Sequence, residues 1–262
     1  MIGISTACLY PLETENALDR LLQLGFRRIE VFLNTFSELE KPYLQTQKRI
    51  LDGCGAAVRS IHPFTSGFES FLLFSDYIRR FHDGEEFYKR YFEAAAELGA
   101  SIVVLHGQKK VSKSLTEEQY FERYEKLYQL GRRYHITLAQ ENVNLYHSES
   151  PDFIRRMRCQ LGESCAFVLD IKQSFRAGSD PFVMAEAMAD RLVHVHLNDR
   201  DGQEDCLLPG RGSVPYQYFF NQLQQMGYGG DYIIEVYRKN FNKLSELVEA
   251  ACFLKNFSCI SG

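Results

Sequence analysis

The 262-residue sequence contains no run approaching 18 uninterrupted apolar residues, which excludes a membrane-spanning helix. It contains no CxxC motif. Its seven cysteines, Cys8, Cys54, Cys159, Cys165, Cys206, Cys252 and Cys259, are odd in number and widely spaced. Neither a disulfide framework nor a zinc ribbon follows from them. A basic excess is also missing, since 30 Lys and Arg against 34 Asp and Glu give a net charge of −4. Without a positive field to hold phosphates, nucleic acid is not expected as a partner. The opening MIGIST has no basic segment followed by an apolar one. It does not read as a signal peptide, and a cytoplasmic protein is expected. What remains is ordinary for a globular chain: 45% hydrophobic and 24% charged. A chain this long can bury a core without disulfides or a structural metal.

Two textures alternate along the chain. Short runs rich in Val, Ile and Leu occur at Ile2–Thr6, Arg28–Leu33, Ala57–His62, Ser101–His106, Thr137–Asn142, Ala166–Asp170, Leu192–Leu197 and Tyr232–Val236. Runs such as SIVVL and YIIEV are apolar on both faces, as in strands buried within a parallel sheet. The stretches between them carry helix signals. Thr116 and Gln119 read as a capping box, followed by Tyr120, Phe121, Tyr124, Leu127 and Tyr128 on one face. Asp83 reads as the cap of a helix carrying Phe87, Tyr91, Ala95 and Leu98 and ended by Gly99. Ser213 with Pro215 reads as the start of another, carrying Tyr216, Phe219, Leu223 and Met226 up to Gly227. Eight strand–helix units in this length predict a single-domain (β/α)₈ TIM barrel over residues 1–262. An open doubly wound sheet is the alternative, but no GxGxxG follows the first strand. One connection is long and aromatic, Pro63–His82, and reads as a lid over a pocket or a contact between subunits of a homo-oligomer.

Active sites of such barrels lie at the C-terminal ends of the strands. Glu30 falls in the second strand, and His62, His106, Glu141, Asp170, His196 and Glu235 fall at the ends of the next six. A single His or carboxylate in such a place is usually a satisfied rim residue or a helix cap. Seven together are different, because crowded carboxylates repel one another and a divalent cation relieves that repulsion. Glu, Asp, His and Glu make a hard, mostly oxygen ligand set, suited to Mn²⁺ or Mg²⁺, with Co²⁺ and Zn²⁺ also admissible.

At these residues the chain resembles the xylose-isomerase-like barrel superfamily, within it the sugar phosphate isomerase/epimerase group. The segments that carry the resemblance are LGFRRIEVF, SIHPF, LGASIVVLHG, LAQENV, FVLDIKQ, LVHVHLND, LLPGRGSV and GYGGDYIIEVY, in the family's order over essentially the whole chain. The resemblance implies one divalent cation held by Glu141, Asp170, His196 and Glu235. It implies further that Glu141 and Glu235 act as an acid–base pair on opposite faces of a sugar or sugar phosphate. One carboxylate would remove a proton alpha to a carbonyl, and the other would return it after an enediolate. His62 and His106 would hydrogen-bond substrate hydroxyls. Many members have His three residues after the metal aspartate, whereas this chain has Gln173, which can hydrogen-bond but cannot titrate.

The same superfamily includes apurinic DNA endonucleases with three zinc ions. Gln173 stands where one of their histidines is expected, and the stretch before LPGRG has no Asp-x-His pair. A barrel that binds a polyol without turning it over is the third reading. Five further features are weighed in the sequence. His194 shares a face with His196 and reads as a core histidine. Lys109, Lys110 and Lys113 read as a solvated loop, or else as a phosphate contact. Arg211 reads as a charged turn residue or a substrate contact. Lys172 can pair with Asp170 or reach the substrate. Cys206 has no base placed to activate it.

Overall fold

The computed structural model describes residues 1–112 and 115–257; Lys113, one member of the basic cluster, lies outside them. Eight strands form the centre: β1 (Ile2–Ser5), β2 (Arg28–Phe32), β3 (Ala57–His62), β4 (Ile102–Leu105), β5 (Thr137–Glu141), β6 (Phe167–Asp170), β7 (Leu192–Leu197) and β8 (Tyr232–Ile234). All pair in parallel in chain order, and β8 pairs back to β1 to close the barrel. The strand-rich runs of the sequence thus fall where expected, with ends trimmed by one or two residues. His106 and Glu235 are the first residues beyond β4 and β8, not their last.

Among the described residues ten helices surround the strands: α1 (Thr14–Gln23), α2 (Lys41–Gly53), α3 (Glu69–Leu72), α4 (Ile78–Leu98), α5 (Glu117–Arg132), α6 (Pro151–Leu161), α7 (Ile171–Arg176), α8 (Pro181–Met188), α9 (Tyr216–Gln225) and α10 (Ser245–Lys255). The capping box at α5 is present in both halves. Two expected caps are not. Asp83 lies inside α4, because Ile78 already starts that helix and carries its apolar stripe further toward the N-terminus. Ser213 sits before α9, and its hydroxyl donates to the Arg200 carbonyl instead.

Aromatic side chains fill the layer between helices and sheet, with Tyr88, Tyr91, Phe92, Tyr120, Phe121 and Tyr124 fully buried. Their hydroxyls are not left dry and unpaired: Tyr124 Oη donates to the Leu138 carbonyl at 2.7 Å and Tyr88 Oη to Glu69 Oε1 at 2.5 Å. No helix of the described residues is long and apolar enough to cross a membrane.

Candidate metal centre at the mouth of the barrel

Register brings the ligand candidates together. Asp170 and His196 are direct neighbours across β6 and β7, and His196 faces Ile233, two residues before Glu235. Glu141 closes the set from β5. One ligand atom from each of Glu141, Asp170, His196 and Glu235 lies within 4.8 Å of all the others. His196 Nδ1 stands 3.5 Å from Glu141 Oε1, 3.7 Å from Glu235 Oε2 and 3.9 Å from Asp170 Oδ2. Such gaps are wider than hydrogen bonds. They are about those between neighbouring ligands that share a cation at ~2.0–2.2 Å. His196 Nδ1 is buried without a hydrogen-bond partner, and Asp170 Oδ2 is buried with Lys172 Nζ at 3.0 Å as its one close cation. An unpaired imidazole nitrogen facing three carboxylates is what a divalent ion would satisfy, so the donor set fits one.

Neighbouring groups hold these ligands in place. Glu30 Oε2 accepts from Ser60 Oγ at 2.7 Å and lies 3.1 and 3.0 Å from Nε2 of His194 and His196. A carboxylate only accepts, so His196 carries its proton on Nε2 and leaves the Nδ1 lone pair toward the cluster. His194 is thereby a core histidine, consumed by Glu30 and Ser60. Asn198 Nδ2 donates to Asp170 Oδ1 at 3.0 Å, and the Gln173 amide N–H reaches the same oxygen at 3.2 Å. That leaves Oδ2 for the cluster.

His62 and His106 stand on the other side of Glu141. Their Nε2 atoms are 3.1 Å apart, and Nε2 of His106 lies 2.9 Å from Glu141 Oε2. With Glu141 they form a second group of ligand-competent atoms. His62 is stacked on Phe32 with ring centroids 4.6 Å apart, which fixes its plane. Gly107 follows His106 with φ +87, and a Cβ there would collide with Tyr120 Oη, so the turn that presents His106 requires glycine.

The charges pull these groups apart. Burial would push the Glu141 carboxyl up, but His106, His196 and His62 hold it well below the usual carboxylate range. Glu235 is held low against burial by Lys172 and His196. Asp170 goes the other way, raised by burial and by the nearby Glu235 and Glu141, with Lys172 offsetting only part.

A cavity of about 670 Å³ opens above the cluster, lined by His62, His106, Glu141, Lys172, Gln173 and Glu235 on its polar side. Phe32, Phe64, Tyr10 and Tyr237 form its apolar wall, with Asn34 and Thr35 between. The long aromatic connection supplies Phe64 alone to this wall. Its Leu73, Phe74 and Phe81 are buried in the core, and Phe68, Phe71 and Tyr77 face solvent. It is therefore not the aromatic cover expected from the sequence. Arg211 is not brought to the site either; its guanidinium pairs with Glu246 at the start of α10.

A family model described as Xylose isomerase-like TIM barrel matches residues 18–257. The uncharacterized protein ML2432 of Mycobacterium leprae (strain TN) is 24% identical over 285 residues, covering 98% of this chain and 97% of its own. Among solved structures, a D-tagatose 3-epimerase-like protein superposes with a TM-score of 0.81 at 17% identity, covering 98% of this chain and 96% of its own. A D-psicose 3-epimerase crystallised in the presence of D-fructose gives the same TM-score and identity, covering 98% of each chain.

Proposed function

The chain belongs to the xylose isomerase-like TIM barrel family, and from that premise we propose that it is a divalent-metal-dependent isomerase or epimerase of a small sugar or sugar phosphate. The observation that carries this reading is the convergence of three carboxylates and one unpaired imidazole nitrogen at the floor of an aromatic-walled pocket. Glu141, Asp170, His196 and Glu235 would hold one cation, with Mn²⁺ or Mg²⁺ favoured by their oxygen-rich set and Co²⁺ or Zn²⁺ as alternatives. Such a cation supplies polarisation of a substrate carbonyl, which acidifies the neighbouring C–H.

The protein's own groups do the rest. Glu141 and Glu235 both line the pocket, and they serve as the two ends of the proton transfer. One, as the carboxylate, takes the proton alpha to the carbonyl, and the other, entering the step as the carboxylic acid, donates its own proton to the opposite face or the next carbon. Histidines hold Glu141 low, and Lys172 with His196 holds Glu235 low, so either can be the accepting carboxylate while its partner takes a proton from solvent and enters the step as the acid. His62 and His106 present ring nitrogens to substrate hydroxyls, and the Gln173 amide nitrogen serves where a titrating group would otherwise stand. Phe32, Phe64 and Tyr237 cover the carbon side of the sugar and keep water from the enediolate.

The test is a panel of free ketoses and ketose phosphates incubated with Mn²⁺-loaded protein. Epimer or isomer formed from at least one, and lost on chelation, is the expected result. The second ligand group at His62, His106 and Glu141 favours a rival reading, a multi-metal phosphodiester hydrolase. That reading predicts Zn²⁺-dependent cutting of an abasic-site duplex and no sugar conversion.

A further inference from the structure

Lys172 is 3% exposed, and a lysine buried that deeply is rare unless its charge is paired. It is paired twice. Its Nζ lies 3.0 Å from Asp170 Oδ2 and 2.9 Å from Glu235 Oε2. These are the same two oxygens that face His196 Nδ1 across the cluster. The ammonium therefore occupies one edge of the ligand cage rather than a place beside it. The Tyr237 ring, 5.1 Å from Nζ, backs it on the pocket side. The chain fold explains the position: β6 passes into α7 with no loop between Asp170 and Ile171, so Lys172 lies in the first helical turn.

We infer that Lys172 is a second, built-in cation of the site. It shares Asp170 and Glu235 with the divalent ion, weakens the hold on that ion, and neutralises the third carboxylate. This rests on the metal reading proposed above. To the three carboxylates Glu141, Asp170 and Glu235 a divalent ion would add two positive charges and Lys172 adds a third. Two effects of opposite sign follow. In the empty site the ammonium relieves the repulsion among carboxylates that would otherwise draw a metal in. In the loaded site it removes the residual negative charge against which an enediolate would have to form. A structural lysine would do neither selectively.

The experiment uses two neutral replacements of similar length, Lys172→Met and Lys172→Gln, so that a failure of one to fold leaves the other. Mn²⁺ affinity is measured by calorimetry on the metal-free proteins, and melting temperature with and without Mn²⁺. The expected result is Mn²⁺ bound at least about tenfold tighter than by the wild type. The metal-free variants should melt lower and gain more from Mn²⁺. On whichever sugar proves active, turnover should fall at least about tenfold while metal affinity rises. Affinity unchanged or weakened in both variants, with the wild type binding Mn²⁺, overturns the role of Lys172 and leaves the metal site standing. A wild type that binds no Mn²⁺ beside a variant that does supports the role of Lys172 while refuting metal dependence of the native protein. No binding by any of the three overturns both.

Discussion

In the proposed reading Glu235 would carry two duties, ligand and proton carrier, and a single substitution separates them. Glu235→Gln keeps an oxygen toward the cation but cannot accept a proton. It should retain Mn²⁺ binding, weakened, and lose turnover by about 10²–10⁴-fold. Near-normal turnover in that variant would show that another base is used. A second residue offers a test independent of any metal. Glu69 is buried, which raises its carboxyl to about 8, and hydrogen bonds from Tyr88 and the Gly107 amide only partly offset this. The folded-state value lies above the ordinary 4.5, so the native state keeps the proton longer than the unfolded chain. That stabilisation is complete below about pH 4.5 and declines as pH rises toward 8. Glu69→Gln should remove the decline, gaining on the order of a few kcal/mol relative to wild type between about pH 5 and pH 8 by urea unfolding. At this scale the sequence was legible for the four residues that the rim brings together, because chemistry-bearing residues recur at strand ends. It left two roles open for each of Lys172 and Arg211, of which the structure shows the Asp170 pairing for Lys172, and it gave no sign of Asn198. Each is fixed by where a turn points its side chain, and one-dimensional spacing does not carry that direction. The role of Glu30 was equally hidden, since only the register opposite Ser60 sets it beside His196.

Helices were readable wherever a local rule and the apolar stripe agreed. Thr116 and Gln119 cap α5 reciprocally, at 3.3 and 3.0 Å. Thr116→Ala should cost roughly 1 kcal/mol of stability, measured by chemical denaturation, and leave metal binding untouched. A loss of metal affinity there would mean that α5 is coupled to the site in a way its position does not suggest. Where rule and stripe disagreed, the stripe won. Asp83 has the chemistry of a cap, but Phe81, on its N-terminal side, is also buried, and burying it draws the helix start back to Ile78. Tertiary burial of one aromatic outweighs a cap worth about 1 kcal/mol. The same competition explains the aromatic connection. Its Phe74 stacks on Tyr120 with centroids 4.2 Å apart, so the segment is anchored in the core instead of folding over the pocket.

At the level of the whole molecule, closure is what makes the site. Candidate ligands separated by up to 94 positions, from Glu141 to Glu235, meet only because eight parallel strands end on one rim. The barrel itself was foreseeable from eight short runs rich in Val, Ile and Leu alternating with helical stretches. The distances within the rim were not, since they depend on strand register. The proposed function has this rim move a proton on a small sugar with a bound cation. The most direct measurement is deuterium incorporation from D₂O into a ketose or ketose phosphate, read by mass spectrometry and NMR. With Mn²⁺ bound, solvent deuterium should enter at a carbon next to the carbonyl, and a chelator or Glu235→Gln should abolish it. Incorporation that persists unchanged after chelation, or its absence across the panel despite bound Mn²⁺, would contradict the account.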